Sequence, residues 1–138
     1  PVGAVLAGSA EFIRDAWLLK RRWGGAMRQT GVLTAMCLYA LDHNVDRLAD
    51  DHAMARELGA GLAQAPIVKR VLPVETNIVV AELADAAPDA DTLRARLADQ
   101  GVKVGKIGTR KLRLLTHLDA TMDDAHAAIR AVQGLRVN

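Results

Sequence analysis

The chain has 138 residues, 51% hydrophobic, 25% charged and only 3% aromatic, a balance that excludes disorder and collagen-like repeats and predicts a globular fold with an Ala/Leu/Val interior. Eighteen Lys and Arg against sixteen Asp and Glu leave a net charge of +2, too even to predict nucleic-acid binding. A single cysteine, Cys37, allows no intrachain disulfide, no apolar run reaches the roughly eighteen residues of a membrane span, and the first residues lack a signal-peptide layout, so the expectation is a cytoplasmic protein that uses neither nucleic acid nor a membrane.

Val2 to Ala7 is a short apolar run bounded by glycines and predicts a strand buried on both faces. Ser9 offers an oxygen to cap a helix from about Ala10 to Arg22, with Phe12, Ile13, Ala16, Trp17 and Leu19 inward, and Gly24-Gly25 ends it. The stretch Gln29 to His43 is apolar nearly all round, which predicts a helix covered by another subunit. Asn44 interrupts the pattern and is placed to cap a helix over Val45 to Ala63. That helix is expected to bury Val45, Leu48, His52, Ala55, Leu58 and Leu62 and to leave Asp46, Arg47, Asp50, Asp51, Arg56 and Glu57 outside. Asp42, Asp46, Asp50 and Asp51 lack the fixed spacing of a metal loop and are read as a solvated helix face.

Pro66 marks a boundary. Ile67 to Val80 supplies β-branched runs interrupted by Pro73, and Asp89 or Asp91 caps a helix over Thr92 to Asp99 that closes at Gly101, with Leu93 and Leu97 inward and Arg94 and Arg96 in water. Val102 to Ile107 and Lys111 to Leu115 predict two strands around Gly108-Thr109, and Thr121 with Asp124 has capping-box spacing for a helix ending at Gly134. From Ile67 the order is strand, helix, strand, strand, helix, an α+β arrangement with helices on one face of a small sheet.

Two cationic positions could carry chemistry. Lys20 to Gln29 packs four cations around a glycine pair, and Arg28, beyond the glycines and near a helix N-terminus, suits a phosphate or carboxylate. Arg113 lies on a strand among apolar neighbours, where its guanidinium either meets solvent or enters a cleft to bind a carboxylate bidentately. His117 and Asp119, close together where the chain leaves that strand, are expected to satisfy local backbone groups.

Three runs point to a family: Pro1 to Gly8, Gly24-Gly25-Ala26-Met27-Arg28-Gln29-Thr30-Gly31-Val32-Leu33, and Tyr39 to His52, followed by Thr76-Asn77-Ile78 and Arg113-Leu114-Leu115-Thr116-His117-Leu118-Asp119. Together they closely resemble the low-specificity L-threonine aldolases, pyridoxal-phosphate lyases grouped with the β-eliminating lyases. The resemblance implies an α/β fold, the C-terminal part of an aminotransferase-type (fold type I) enzyme: residues 1–65 would end the large cofactor-binding domain at a subunit interface, and residues 66–138 would form the small α+β subdomain. It implies pyridoxal 5'-phosphate as cofactor and a small β-hydroxy-α-amino acid as substrate, cleaved to glycine and an aldehyde. It also implies a homo-oligomer, dimer or tetramer, with shared active sites.

By the same resemblance Arg113 holds the substrate carboxylate, and Arg28 contacts the cofactor phosphate in a neighbouring subunit. Arg21 stands where the family often has a lysine of similar role, and Ala26 replaces a usual third glycine. The Schiff-base lysine would lie upstream of Pro1, so no catalytic residue is expected in this segment and the chain alone is expected to be inactive. Two alternatives stand beside this reading: another β-eliminating lyase of the same fold, or a non-catalytic α/β ligand-binding module.

Overall fold

Ser9 starts the first helix as its position suggests. In the computed structural model, which describes residues 4–137, its hydroxyl accepts the Phe12 N–H at 3.2 Å and α1 runs Ala10–Arg22. The helix stops because Gly24 adopts φ 74°, a left-handed conformation open to glycine. The N–H groups of Gly24 and Gly25 then fold back onto the carbonyls of Arg21 and Lys20, closing the last turn as a Schellman motif. Gln29 is also left-handed (φ 51°) and turns the chain just before α2, Gly31–Asn44. These two helices belong to one compact unit, residues 1–46; residues 47–138 form another.

Burial in the first unit departs from expectation. No residue of α1 or α2 is buried, and Phe12, Trp17 and Leu19, expected inward, are 50%, 52% and 41% exposed. Apolar side chains need a surface to pack on, and a segment this short supplies little. The strand expected over Val2–Ala7 is not formed at residues 4–7, because a strand depends on a neighbour to take its backbone hydrogen bonds; Val2 and Gly3 lie outside the described residues.

The second unit opens with α3, Leu48–Leu62. Asn44, expected to cap it, is instead the last residue of α2, and Arg47 takes the N-cap position without a side-chain cap bond. The buried stripe is Asp51, Met54, Ala55, Leu58, Gly59 and Leu62, so the expected inward set is right in its last turns and wrong in its first. Leu48 stays 45% exposed while Asp51, expected outside, is 4% exposed. A buried carboxylate needs a partner, and Arg47, one turn earlier, supplies a two-pronged ion pair at 3.0 and 3.1 Å.

Four strands follow α3: β1 Val68–Val71, β2 Ile78–Leu83, β3 Gly105–Lys106 and β4 Lys111–Leu115. The stretch Ile67 to Val80 thus splits at Pro73 into a hairpin, with β1 antiparallel to β2. The sheet order is β1-β2-β4-β3, all antiparallel, and β3 is far shorter than Val102–Ile107. Two helices complete the unit: α4 Ala90–Ala98, capped by Asp89, and α5 Met122–Gly134, which has the full reciprocal capping box of Thr121 and Asp124. Period-2 alternation puts Val79, Ala81, Leu83, Leu112 and Leu114 on the covered face. There Val79, Leu83, Leu112 and Leu114 join Leu58 and Leu62 of α3, Leu93 and Leu97 of α4 and Val132 of α5 in one core. Ile78, Glu82, Lys111, Arg113 and Leu115 belong to the other face.

The expected split at residue 65 concerned the domains of a longer enzyme. In the packing of this chain, α3 goes with the sheet. Arg94, expected in water, donates from Nε to the Val104 carbonyl at 2.9 Å and ties α4 to the segment before β3.

Candidate functional site

Arg113 sits at the centre of the open face of β4, paired with Val80 of β2 on one side and Gly105 of β3 on the other. A Cβ at position 105 would lie 3.3 Å from the Arg113 carbonyl oxygen and 3.6 Å from its Nε, so the missing side chain leaves the arginine room to lie across the edge strand. The residue is exposed, and among the described residues no carboxylate pairs with it. It borders a groove of about 420 Å³ with Lys103, Gln100 and His117 among its polar lining and Met54, Leu58 and Ala128 among its apolar lining. An unpaired guanidinium with five N–H donors at the edge of a groove fits a carboxylate.

The strand is pinned just beyond Arg113. Leu112, Leu114 and Thr116 share the inward face, and a polar group on a core face must find a partner. Thr116 is 2% exposed and its hydroxyl donates to the Asp51 carbonyl of α3 at 2.7 Å. The Thr116 carbonyl accepts the side-chain amide of Asn77 at 2.7 Å, and the Thr116 N–H donates to the Asn77 carbonyl at 3.0 Å. Neither Thr116 nor Gly105 was given a role from sequence. The available signal was Thr116 as the polar third member of the inward 112, 114, 116 series. His117 does what its position implied: Nδ1 accepts the Asp119 N–H at 3.2 Å, with the Asp119 carboxylate 3.7 Å away.

On the same sheet face a separate ionic cluster joins Glu82 to Arg70 and Lys111. Hydrogen bonds from Arg70 first, then from Lys111, hold the Glu82 carboxyl down at about 2. Glu82 is thereby occupied by two cations that precede and follow it across the ladder, and Arg113 is left free of it.

Arg28 and Arg21 lie in the first unit. Arg28 is exposed, two residues before the Thr30 N-cap of α2, where no side chain caps the first turn. Its guanidinium pairs with no carboxylate among the described residues, so charge and uncapped N–H groups stand side by side. Arg21 is in the last turn of α1 with its guanidinium carbon 5.7 Å from the Trp17 ring centroid; Lys20 Nζ is 5.0 Å from the same centroid. Both cations therefore stack on an aromatic face, and of the two arginines Arg28 is the one with no such engagement.

The mixed α/β architecture with its small antiparallel sheet is that of the aminotransferase-type, fold type I enzymes. An ornithine aminotransferase from Plasmodium yoelii superposes with a TM-score of 0.52 at 16% identity, covering 73% of this chain and 26% of that one. The ornithine aminotransferase from Toxoplasma gondii ME49 gives 0.52 at 17% identity, over 64% of this chain and 22% of that one. At sequence level the profile of the β-eliminating lyases matches residues 1–86: the chain belongs to the β-eliminating lyase family, whose members depend on pyridoxal phosphate. It is 35% identical over 135 residues to low-specificity L-threonine aldolase 1 of Arabidopsis thaliana, 96% of this chain and 38% of that protein. It is 41% identical over 119 residues to the probable low-specificity L-threonine aldolase 2 of the same plant, 85% and 34%, and 33% identical over 125 residues to the low specificity enzyme of Escherichia coli K12, 89% and 35%. The chain therefore spans little more than a third of the length of these relatives.

A phosphate dianion needs fixed N–H donors and positive charge, and Arg28 beside an uncapped helix start supplies both. This donor set fits the group.

Proposed function

We propose that the intact protein is a pyridoxal-phosphate-dependent lyase that cleaves β-hydroxy-α-amino acids of the L-threonine and L-allo-threonine type to glycine and an aldehyde. Arg113 would hold the substrate carboxylate, and Arg28 and Arg21 the cofactor phosphate. What supports the reading is Arg113: a guanidinium free of carboxylate partners among the described residues, with room made by Gly105, on a strand tied to the core. The names of the relatives favour the same reaction.

Pyridoxal phosphate, when bound, supplies an electron sink for the pair released by Cα–Cβ cleavage. The residues of this chain do the positioning. A bidentate arginine at the carboxylate fixes rotation about the bond to Cα, so the scissile bond is presented in one orientation. Arg28 would hold the phosphate end of the cofactor in a neighbouring subunit's site. The first unit buries none of the residues of its two helices, and a second copy of the protein covering them, as a dimer or tetramer with shared sites in the cytoplasm, completes the proposal.

The two roles separate in one experiment on the intact lyase. Arg113→Ala should raise the KM for L-threonine at least about tenfold while cofactor affinity stays at the wild-type level. Arg28→Ala should weaken cofactor retention instead. Equal losses of both affinities in Arg113→Ala would remove its assigned role.

A further inference from the structure

Arg113 is the one residue given the substrate carboxylate, yet nothing in its own side chain fixes where its guanidinium points. The side chain has four rotatable bonds, is exposed, and has no ion pair among the described residues. Its aim is set by the strand that carries it and by what lies beneath it. Beneath it is Gly105. The strand is set at its far end, three residues on, where Thr116 has every polar group occupied across the fold. Its N–H and carbonyl are taken by Asn77 ahead of β2, and its hydroxyl by the Asp51 carbonyl of α3, 65 positions away in the chain.

The Asp51 contact is not needed to satisfy the helix. A backbone carbonyl in a helix interior already serves the N–H four residues on, so the threonine hydroxyl is a second donor to it. What the hydroxyl adds is a tertiary tie of β4 to α3 from a fully buried position, where a polar group without a partner is costly. A valine has the same shape and would fill the same space, keeping the packing while cutting the tie. The α3 end of the tie is itself fixed, because the Asp51 carboxylate is held by both terminal nitrogens of Arg47.

We infer that Thr116, tied to α3 through Asp51 and to β2 through Asn77, is a positioning residue that sets the place of the Arg113 guanidinium and so the affinity for the substrate carboxylate. The inference rests on the carboxylate role proposed above for Arg113. A displacement of about 1 Å at a binding group is enough to change affinity or rate by an order of magnitude or more.

The test uses the intact lyase and four variants, with KM for L-threonine, kcat, cofactor affinity and melting temperature measured on each. Thr116→Val should raise KM about tenfold with kcat within about twofold of wild type and cofactor affinity unchanged, and Thr116→Ser, which keeps the hydroxyl, should restore the wild-type KM. Asn77→Ala, acting on the same backbone from the half-buried side, should shift KM in the same direction and stands in if Thr116→Val does not fold. A lower melting temperature with an unchanged KM in Thr116→Val or Asn77→Ala would make the tie merely structural and overturn the inference, as would a Thr116→Ser variant as impaired as the valine. Arg113→Ala separates the two levels. If it raises KM while the Thr116 and Asn77 variants do not, only the positioning role falls; if it leaves KM unchanged, the carboxylate reading falls and takes this inference with it.

Discussion

The first 46 residues and the remainder of the chain handle their apolar side chains in opposite ways. All the aromatic residues, Phe12, Trp17, Trp23 and Tyr39, lie in the first unit, and every one is at least half exposed. The second unit has no aromatic residue and builds a continuous core from Ala, Val, Leu and one Ile. Hydrophobicity alone does not make a core: α2 is more apolar than any helix of the second unit, but without a layer to pack against none of its residues is fully buried. The second unit has two layers, helices on a sheet, and each inward residue meets a neighbour.

The largest effect should come from truncating the same residue type in each unit. Leu112→Ala, at 1% exposure in β4, should destabilise the second unit by about 2–5 kcal/mol in urea unfolding. Leu38→Ala, 56% exposed in α2, should change it by no more than about 0.5 kcal/mol. Equal costs would mean that α2 is covered after all, within its own unit or by the second copy proposed above.

A smaller effect, but with a change of sign, should separate two glycines. A Cβ at Gly61 of α3 would fall 2.6–2.7 Å from three atoms of Ile129 on α5, so Gly61→Ala should cost about 1–3 kcal/mol by overpacking despite the better helix propensity. Ile129→Ala in the same molecule should recover part of that loss. At Gly31 of α2 nothing lies within 4 Å of the added carbon, and Gly31→Ala should leave stability unchanged or raise it by up to about 1 kcal/mol, read as helicity by circular dichroism.

The smallest effects sit at the helix ends and on the open sheet face. Thr121→Ala removes a complete capping box and should cost about 1 kcal/mol, measured by thermal unfolding. The partner carboxyl of Asp124 is held below its usual range, chiefly by the Thr121 hydroxyl, and Glu82 is lowered from 4.5 to about 2, chiefly by Arg70. Both folded values are depressed, so both contributions are lost on acidification; for Glu82 the stabilisation is complete above about pH 4.5 and is lost as pH falls toward 2. Melting temperature against pH should therefore decline through that window, and Glu82→Gln should flatten part of the decline.

Local chemistry was legible in the sequence wherever one residue decides. The Ser9 cap, the glycine stop at Gly24, the Thr121 box and the bounds of α1 and β4 follow from single side chains and their neighbours. What escaped depends on the third dimension. The phase of the first turn of α3 was misread because Asp51 is charged, and only its pairing with Arg47 and the approach of Thr116 make an inward carboxylate tolerable. The length of β3 was overestimated because Val102 and Val104 are β-branched, yet Arg94 captures the Val104 carbonyl before it can join a ladder. At the site, Arg113 stood out as a cation among apolar strand residues, while its supports, Gly105 and Thr116, became visible only once β3, α3 and Asn77 were placed around β4.

The carboxylate role proposed for Arg113 is tested most directly by comparing how L-threonine and its carboxamide bind to the intact protein before and after Arg113→Ala. The account predicts that the wild type prefers the free carboxylate by about tenfold or more and that the variant binds acid and amide nearly alike. A preference for the acid that survives intact in Arg113→Ala would contradict it.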